Sequence, residues 1–441
     1  MYDNLSSECL PSSATLLGTP IHVDGIDHAI KDRLASLELA VPRLKKLSSH
    51  EALFLLRNSL AMPKLQYLLR TAPCFLSTVT SEFDDVVART LSTCLNVQIS
   101  QDSRLQLSLP VRWGGLGIRS ASFVASSAFL SSLSASNPLL LQLLPTEILS
   151  FPDALYTDAL DHWRADMQVA PPCGEVARLQ RAWDEPRCLA AFASLRDHAD
   201  EIGRARLLAG CATASGSWIH ALPSSSLGLR LSDDETRIAV SLRLGSDIVR
   251  DHACRCGVAV KPNGLHGLSC RRSAGRLARH SMANDVIARS LRSLDIPVEL
   301  EPLHLLRGDG KRPDGATLIP FSHGKCLLWD FTCPDTLAPS HSSQSSLAAG
   351  SAALGAEARK RTKYVDLLRN YTFVPFAVET FGVWGPEALA FSSEVGARLA
   401  AQTGESRSTS FLRQRIDIAI QRGNALAVRG TFREDVAMNL E

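Results

Sequence analysis

The chain lacks a long apolar run. No stretch of its 441 residues reaches the roughly 18 apolar residues that a membrane helix needs. The opening residues, MYDNLSSECLPSS, have no basic segment leading into an apolar one, so nothing there reads as a secretory signal. An intracellular protein of the nucleus, without membrane contact, is therefore expected. An excess of one charge is missing too. The net charge of +2 gives no argument for nucleic acid by itself. There is no internal repeat. What is present suits folded domains: 45% hydrophobic and 21% charged residues exclude a disordered chain, and the length suits two or three domains.

The first 250 residues read as mainly α-helical. Apolar residues recur at helical spacing from Ile26 to Arg70, with Ser48 or Ser49 as an N-cap between two helices. Further helices are expected over Glu82–Leu95 and Ala121–Leu133, separated by a glycine-rich turn at Val111–Ser120. After Asp251 the texture changes. Strand-like runs are expected at Pro297–Leu306, Arg312–Pro320, Lys325–Thr332 and Tyr371–Phe381. Helices are expected at Arg276–Leu294, Ser346–Asn370 and Ser410–Ala425. The fold class is thus α+β, a helical half followed by a small α/β domain.

Eleven cysteines without a secretory signal do not suggest a disulfide scaffold. Three of them cluster with a histidine. Cys254, Cys256, His266 and Cys270 form C-x-C, then H-x3-C, with Gly257, Gly264 and Gly267 giving turn freedom. Zinc takes four such ligands in a tetrahedron, and four protein ligands leave a structural rather than catalytic site. Around the cluster, from Arg250 to Arg312, 12 Lys or Arg stand against 6 Asp or Glu. That stretch is either a phosphate-facing surface or a solvated basic face. Its candidate nucleic-acid contacts are Arg271, Arg272, Arg276, Arg279, His280 and Arg312.

Two carboxylates carry the chemistry. Arg312-Pro313-Asp314-Gly315 opens one strand and KCLLWDFT is the next, with a hairpin turn in Phe321–Gly324. A turn centred near Ser322 sets Asp314 opposite Asp330, with Cβ atoms about 5 Å apart. Both acids can then share one Mg2+ or Mn2+, which takes oxygen ligands. Asp330 lies in a run that is apolar on both faces, where an unpaired carboxylate is costly. The plainer alternative is an acid satisfied by an arginine. Lys360 and Lys363 share a helix face, and Lys360 is preferred as the lysine that assists a metal-activated water. Glu301 is either an extra metal ligand or a surface charge. His280 and Asn284 place two polar groups on an inward helix face. The Pro334-Asp335 pair imitates the first motif but leads into a serine-rich loop.

Together CRCG, HGLSC, the RH…N pair, RPDG, WDFT and RKRTKY resemble the restriction-like endonuclease domain of non-LTR retrotransposon proteins, over about Cys254–Gly385. The resemblance implies a PD-(D/E)XK-type nuclease core with the lysine moved from the slot of Thr332 to a downstream helix, at Lys360. LLGTPI at Leu16–Ile21, the stretch near Leu55–Pro73 and LPVRWGGLGIRS at Leu109–Ser120 look like the region after the polymerase palm, and QRGNA at Gln421–Ala425 like a tail of such reading frames. The implied organisation is a thumb- or connection-like region at 1–135, a helical linker region at 136–250, a zinc knuckle at 251–272, the endonuclease at 273–400 and a helical tail at 401–441. The implied function is metal-dependent nicking of DNA, with structural Zn2+, catalytic Mg2+ or Mn2+, and DNA and element RNA as partners. No paired F/Y-x-D-D aspartates precede LLGTPI, so no reverse transcriptase activity is expected. The alternative is a catalytically inactive nucleic-acid-binding remnant.

Overall fold

Ser48 is the cap that the sequence left open between two serines. Its hydroxyl accepts from the Glu51 N–H, and the Glu51 carboxylate accepts in return from the Ser48 N–H, closing a capping box on the helix Ser49–Leu55. Around it lie the helices Ile26–Leu44, Met62–Thr71, Val79–Leu95 and Ala121–Leu143. The last is held at its start by Asp84, whose carboxylate accepts from the N–H groups of Ala121 and Ser122. A second cluster gathers Phe129, Leu130, Trp163 and Trp183, and each buried indole N–H finds a backbone carbonyl.

The computed structural model describes residues 14–143, 152–165, 167, 169–303, 305 and 312–432. Most of the expected polar lead-in, the end of the expected tail, and parts of the expected strand Pro297–Leu306 lie outside the described residues. The chain divides into two compact units, one of residues 1–94, 107–110 and 117–194, the other of 95–106, 111–116 and 195–441. The expected segments 251–272, 273–400 and 401–441 all fall in the second unit. The expected linker region 136–250 is shared between the two. The class is α+β, and among the described residues no helix is long and apolar enough to cross a membrane.

The second unit holds one four-stranded sheet. Its strands are β1 (Val298–Leu300), β2 (Gly315–Ser322), β3 (Lys325–Thr332) and β4 (Thr372–Ala377), adjacent in that order. The first two pairings are antiparallel. The last is parallel and needs a crossover, which the helix α2 (Ser351–Lys363) supplies after α1 (Gly275–Arg292) has led into β1. The helices α3 (Pro386–Thr403) and α4 (Ser408–Arg429) follow.

Alternation along β3 assigns the faces. Leu327, Trp329 and Phe331 pack with Ala283, Ile287 and Leu291 of α1 and with Ile416 and Ile420 of α4. Leu328 points the other way, against Tyr364, Leu367 and Phe373. β1 is shorter than expected, three residues against ten, because the chain turns at Glu301, whose φ is +50°. Within the segment expected as a helical tail, α4 contributes Leu412, Ile416 and Ile420 to the core. Gly275 of α1 and Gly267 of the knuckle leave no room for a Cβ against the α4 backbone near Ala427.

Candidate metal centre and carboxylate pair

The hairpin turn sits one step later than the sequence suggested. Ser322 pairs with Lys325, and His323 and Gly324 both have positive φ, as a two-residue hairpin turn requires. Continued without change, that register would set Gly315 opposite Thr332. Two register shifts between Ser322 and Ala316 move it by three residues, so that Gly315 pairs with Trp329. Asp314 and Asp330 are the next residues outward. The Asp314 N–H donates to the Trp329 carbonyl at 3.0 Å, which ties the first acid to the second strand. The Trp329 indole lies across Gly315, where a Cβ would fall 2.0 Å from the ring. That contact explains the glycine of the RPDG motif.

Different elements hold the two carboxylates. Asp314 Oδ2 accepts from the Phe331 N–H at 2.6 Å and lies 2.9 Å from His280 Nε2 on α1. Its Oδ1 has no hydrogen-bond partner among the described residues. Asp330 is buried. Its Oδ1 forms an ion pair with Lys360 but receives no aligned hydrogen bond, and its Oδ2 lies 2.6 Å from the Tyr364 hydroxyl. The same hydroxyl lies 2.7 Å from the Arg312 carbonyl and accepts from Lys363 Nζ at 2.8 Å. The imidazole of His280 feels both acids. The hydrogen bond to Asp314 raises its pKa most, burial opposes this, and the charges of Asp314 and Asp330 add to the rise against Lys360.

The helix that carries Lys360 is pinned at two points. Glu379, just after β4, accepts from the Ala353 N–H in the first turn of α2. Glu357, one turn before Lys360, accepts from the N–H groups of Glu387 and Ala388 at the start of α3. Both glutamates are buried, and burial raises both pKa values. Each negative group sits at a helix N-terminus, where it is favoured.

Several sequence candidates stand elsewhere. Arg279 is corrected: it is 1% exposed, with its guanidinium on Asn424 Oδ1 and the Leu268 carbonyl, so it cannot face a phosphate. Glu301 is exposed, and its carboxylate pairs with Arg312 at 2.8 Å rather than with the buried acid. Arg271, Arg272 and Arg276 are exposed. The Lys363 ammonium also lies 4.5 Å from the centre of the Tyr364 ring. Asp335 accepts from the Leu337 N–H and the Thr380 hydroxyl and serves its own loop. Tyr364 received no role in the sequence reading. Its signal was spacing, four residues after Lys360 and so on the same helix face.

The cysteine–histidine cluster assembles as a group that could hold a metal ion. The four candidate ligand atoms of Cys254, Cys256, His266 and Cys270 lie within 4.8 Å of one another. Cys254 and Cys270 sulfurs are 3.7 Å apart, and Cys256 Sγ is 3.2 Å from His266 Nε2. Ligands at about 2.3 Å from a tetrahedral zinc stand about 3.8 Å apart, so the set suits zinc. Burial pushes the Cys254 thiol up to about 11, while the Val258 N–H holds the Cys256 thiol below its ordinary value. Among the described residues, this is the only group of three or more such side chains drawn together. No protein-family model matches the chain, and a search of curated proteins finds no match.

Proposed function

We propose that this chain carries a metal-dependent DNA endonuclease of the PD-(D/E)XK type, from the polyprotein of a non-LTR retrotransposon. The observation that carries the reading is the ion pair of Lys360 with Asp330 at the end of an antiparallel strand pair, where Asp314 is tied to the backbone of Trp329 and Phe331 on either side of Asp330. The strand order β1-β2-β3-β4, with the helix crossover into a parallel last strand, supports it. So do the motifs RPDG, WDFT and RKRTKY.

The acids suit a hard divalent cation. Among the described residues, Asp314 Oδ1 takes no hydrogen bond, and the buried Asp330 Oδ1 takes none beyond its ion pair with Lys360. Oxygen donors of this kind suit Mg2+ or Mn2+. When bound, the cation would lower the pKa of its water and neutralise charge on the phosphate. The residues do the rest. Lys360 offsets the charge of Asp330 and holds an ammonium beside the reacting centre. Tyr364 and the Phe331 N–H fix the two carboxylates. Exposed Arg271, Arg272 and Arg276 provide cations for the DNA backbone. Zinc at the knuckle is structural in this reading.

The test is nicking of supercoiled plasmid with Mg2+ or Mn2+. The wild type is expected to nick. Asp314→Ala and Asp330→Ala are each expected to lose about a hundredfold or more, since a metal supplies several kcal/mol of charge stabilisation. Equal nicking by all three proteins removes the reading. One observation favours a second reading, a binding remnant that cuts nothing: Asp330 is already engaged by Lys360 and Tyr364, and no third acid among the described residues joins the pair. Salt-sensitive DNA binding without metal-dependent cleavage would select it.

A further inference from the structure

We infer that His280 is a positioning residue for Asp314: held in one tautomer by Asn284 and Trp329, it clamps Oδ2 of that carboxylate and leaves Oδ1 to a divalent cation. The inference rests on the nuclease reading above and deepens it.

The polarity of the chain of contacts is forced. An indole N–H can only donate, so the Asn284 atom 2.9 Å from Trp329 Nε1 is the carbonyl oxygen. The other end of that amide is then the NH2 group, which can only donate. It lies 3.3 Å from His280 Nδ1, which in the neutral ring presents a lone pair to it. The ring proton therefore sits on Nε2 and points along the 2.9 Å contact to Asp314 Oδ2. One side chain that belongs to the core, Trp329 at 0% exposure, thus sets the tautomer of a ring that is 40% exposed at its side chain. A histidine serving only the core would be buried. This one reaches from the core to the carboxylate, and two donors converge on a single oxygen of it.

Helical spacing makes the arrangement possible. His280 and Asn284 are one turn apart on α1, and the neighbouring apolar positions Ala283 and Ile287 pack against Trp329 in the same core. Trp329 pairs with Gly315 in the strand register, so the residue after each of them in the direction of the site is an acid. The relay therefore ties three elements, α1, β2 and β3, to the orientation of one carboxylate. Partners that orient a metal ligand in this way change metal affinity about 10- to 100-fold when removed.

The test uses the full, zinc-loaded chain and Mn2+ alone, followed by electron paramagnetic resonance. His280→Ala is expected to weaken Mn2+ binding by about 10- to 100-fold. His280→Gln, whose amide can still donate to Asp314, is expected to recover most of it. Asn284→Asp, which presents no donor to Nδ1, is expected to weaken binding as well and keeps the question answerable if His280→Ala does not fold. In nitrogen NMR of labelled histidine, the wild-type ring is expected as the Nε2–H tautomer, and Asn284→Asp is expected to change it and to shift the Trp329 indole resonance. Mn2+ binding unchanged in His280→Ala but lost in Asp314→Asn overturns the inference and leaves the nuclease reading standing. So does a wild-type ring found as the Nδ1–H tautomer. A wild type that binds Mn2+ no better than Asp314→Asn removes both.

Discussion

Gly315 stands where a side chain would collide with the Trp329 indole, 2.0 Å from an added Cβ. The partner is a ring fixed by core packing and by its bond to Asn284, so it has little room to yield. Gly315→Ala is expected to cost about 1–3 kcal/mol, the range for overpacking a tight core. Urea unfolding would measure it, and an alanine variant as stable as the wild type would contradict the packing. At this scale much of the site was legible. Asp314, Asp330 and Lys360 were named from motif and spacing, and Asn284 from its helical register with His280. Tyr364 was not, because a tyrosine after a basic run looks like an amphipathic surface residue until its hydroxyl is seen at 2.6 Å from Asp330. Arg279 failed in the opposite direction. A run of arginines reads as a solvated face, yet Gly423 of α4 opens a slot for the Arg279 stem, and Asn424 and the Leu268 carbonyl take its head.

Among the elements, β3 was legible to the residue, since its apolar run is bounded by a turn and faces two cores. The register was legible only in outcome. A turn near Ser322 pointed to the right pairing, but the turn falls at His323–Gly324 and two irregularities restore the pairing. Bulges leave no periodic trace in an eight-residue strand. Helix α2 is shorter than Ser346–Asn370 because Gly350, in the left-handed region, sets its start, and the chain tightens into a 3-10 turn at Val365–Leu367. The knuckle is the element whose stability should depend on an ion. Its Leu268 carbonyl is held by Arg279 of α1, and Gly267 abuts α4, so loosening it disturbs both helices. Metal analysis is expected to find one zinc per chain. Its removal by a strong chelator is expected to lower the Tm by roughly 10 °C, taking several kcal/mol at about 2–4 °C each. Cys254→Ser is expected to do the same without chelator, and a chelator-insensitive Tm would argue against zinc at this cluster.

At the scale of the whole molecule, six acids share a direction. Asp84, Asp184, Asp335, Glu357, Glu379 and Asp417 all have raised pKa values, with burial as the first cause in each. Such groups bind protons more tightly folded than unfolded, so their contribution to stability falls as pH rises. This is opposite to the familiar case of salt-bridged carboxylates. Asp417 on α4 is the clearest example. It is 0% exposed, accepts from the Trp218 N–H at 3.1 Å, and burial pushes it up to about 6. Below its ordinary value of 3.8 it is protonated in both states and contributes no difference. Between 3.8 and about 6 the folded form keeps a proton that the unfolded chain has lost, and stability declines through that window. Above it the full cost, at most about 3 kcal/mol at 1.36 kcal/mol per pKa unit, is present. Asp417→Asn keeps an acceptor for Trp218 and carries no charge. Relative to that variant, the wild type is expected to lose stability as pH rises from about 4 to 7, and effects common to both proteins cancel in the difference. Denaturant unfolding of the two at matched pH values measures this. A difference that is flat, or that grows toward acid pH, would show that the Asp417 carboxylate is stabilised in the fold as an anion.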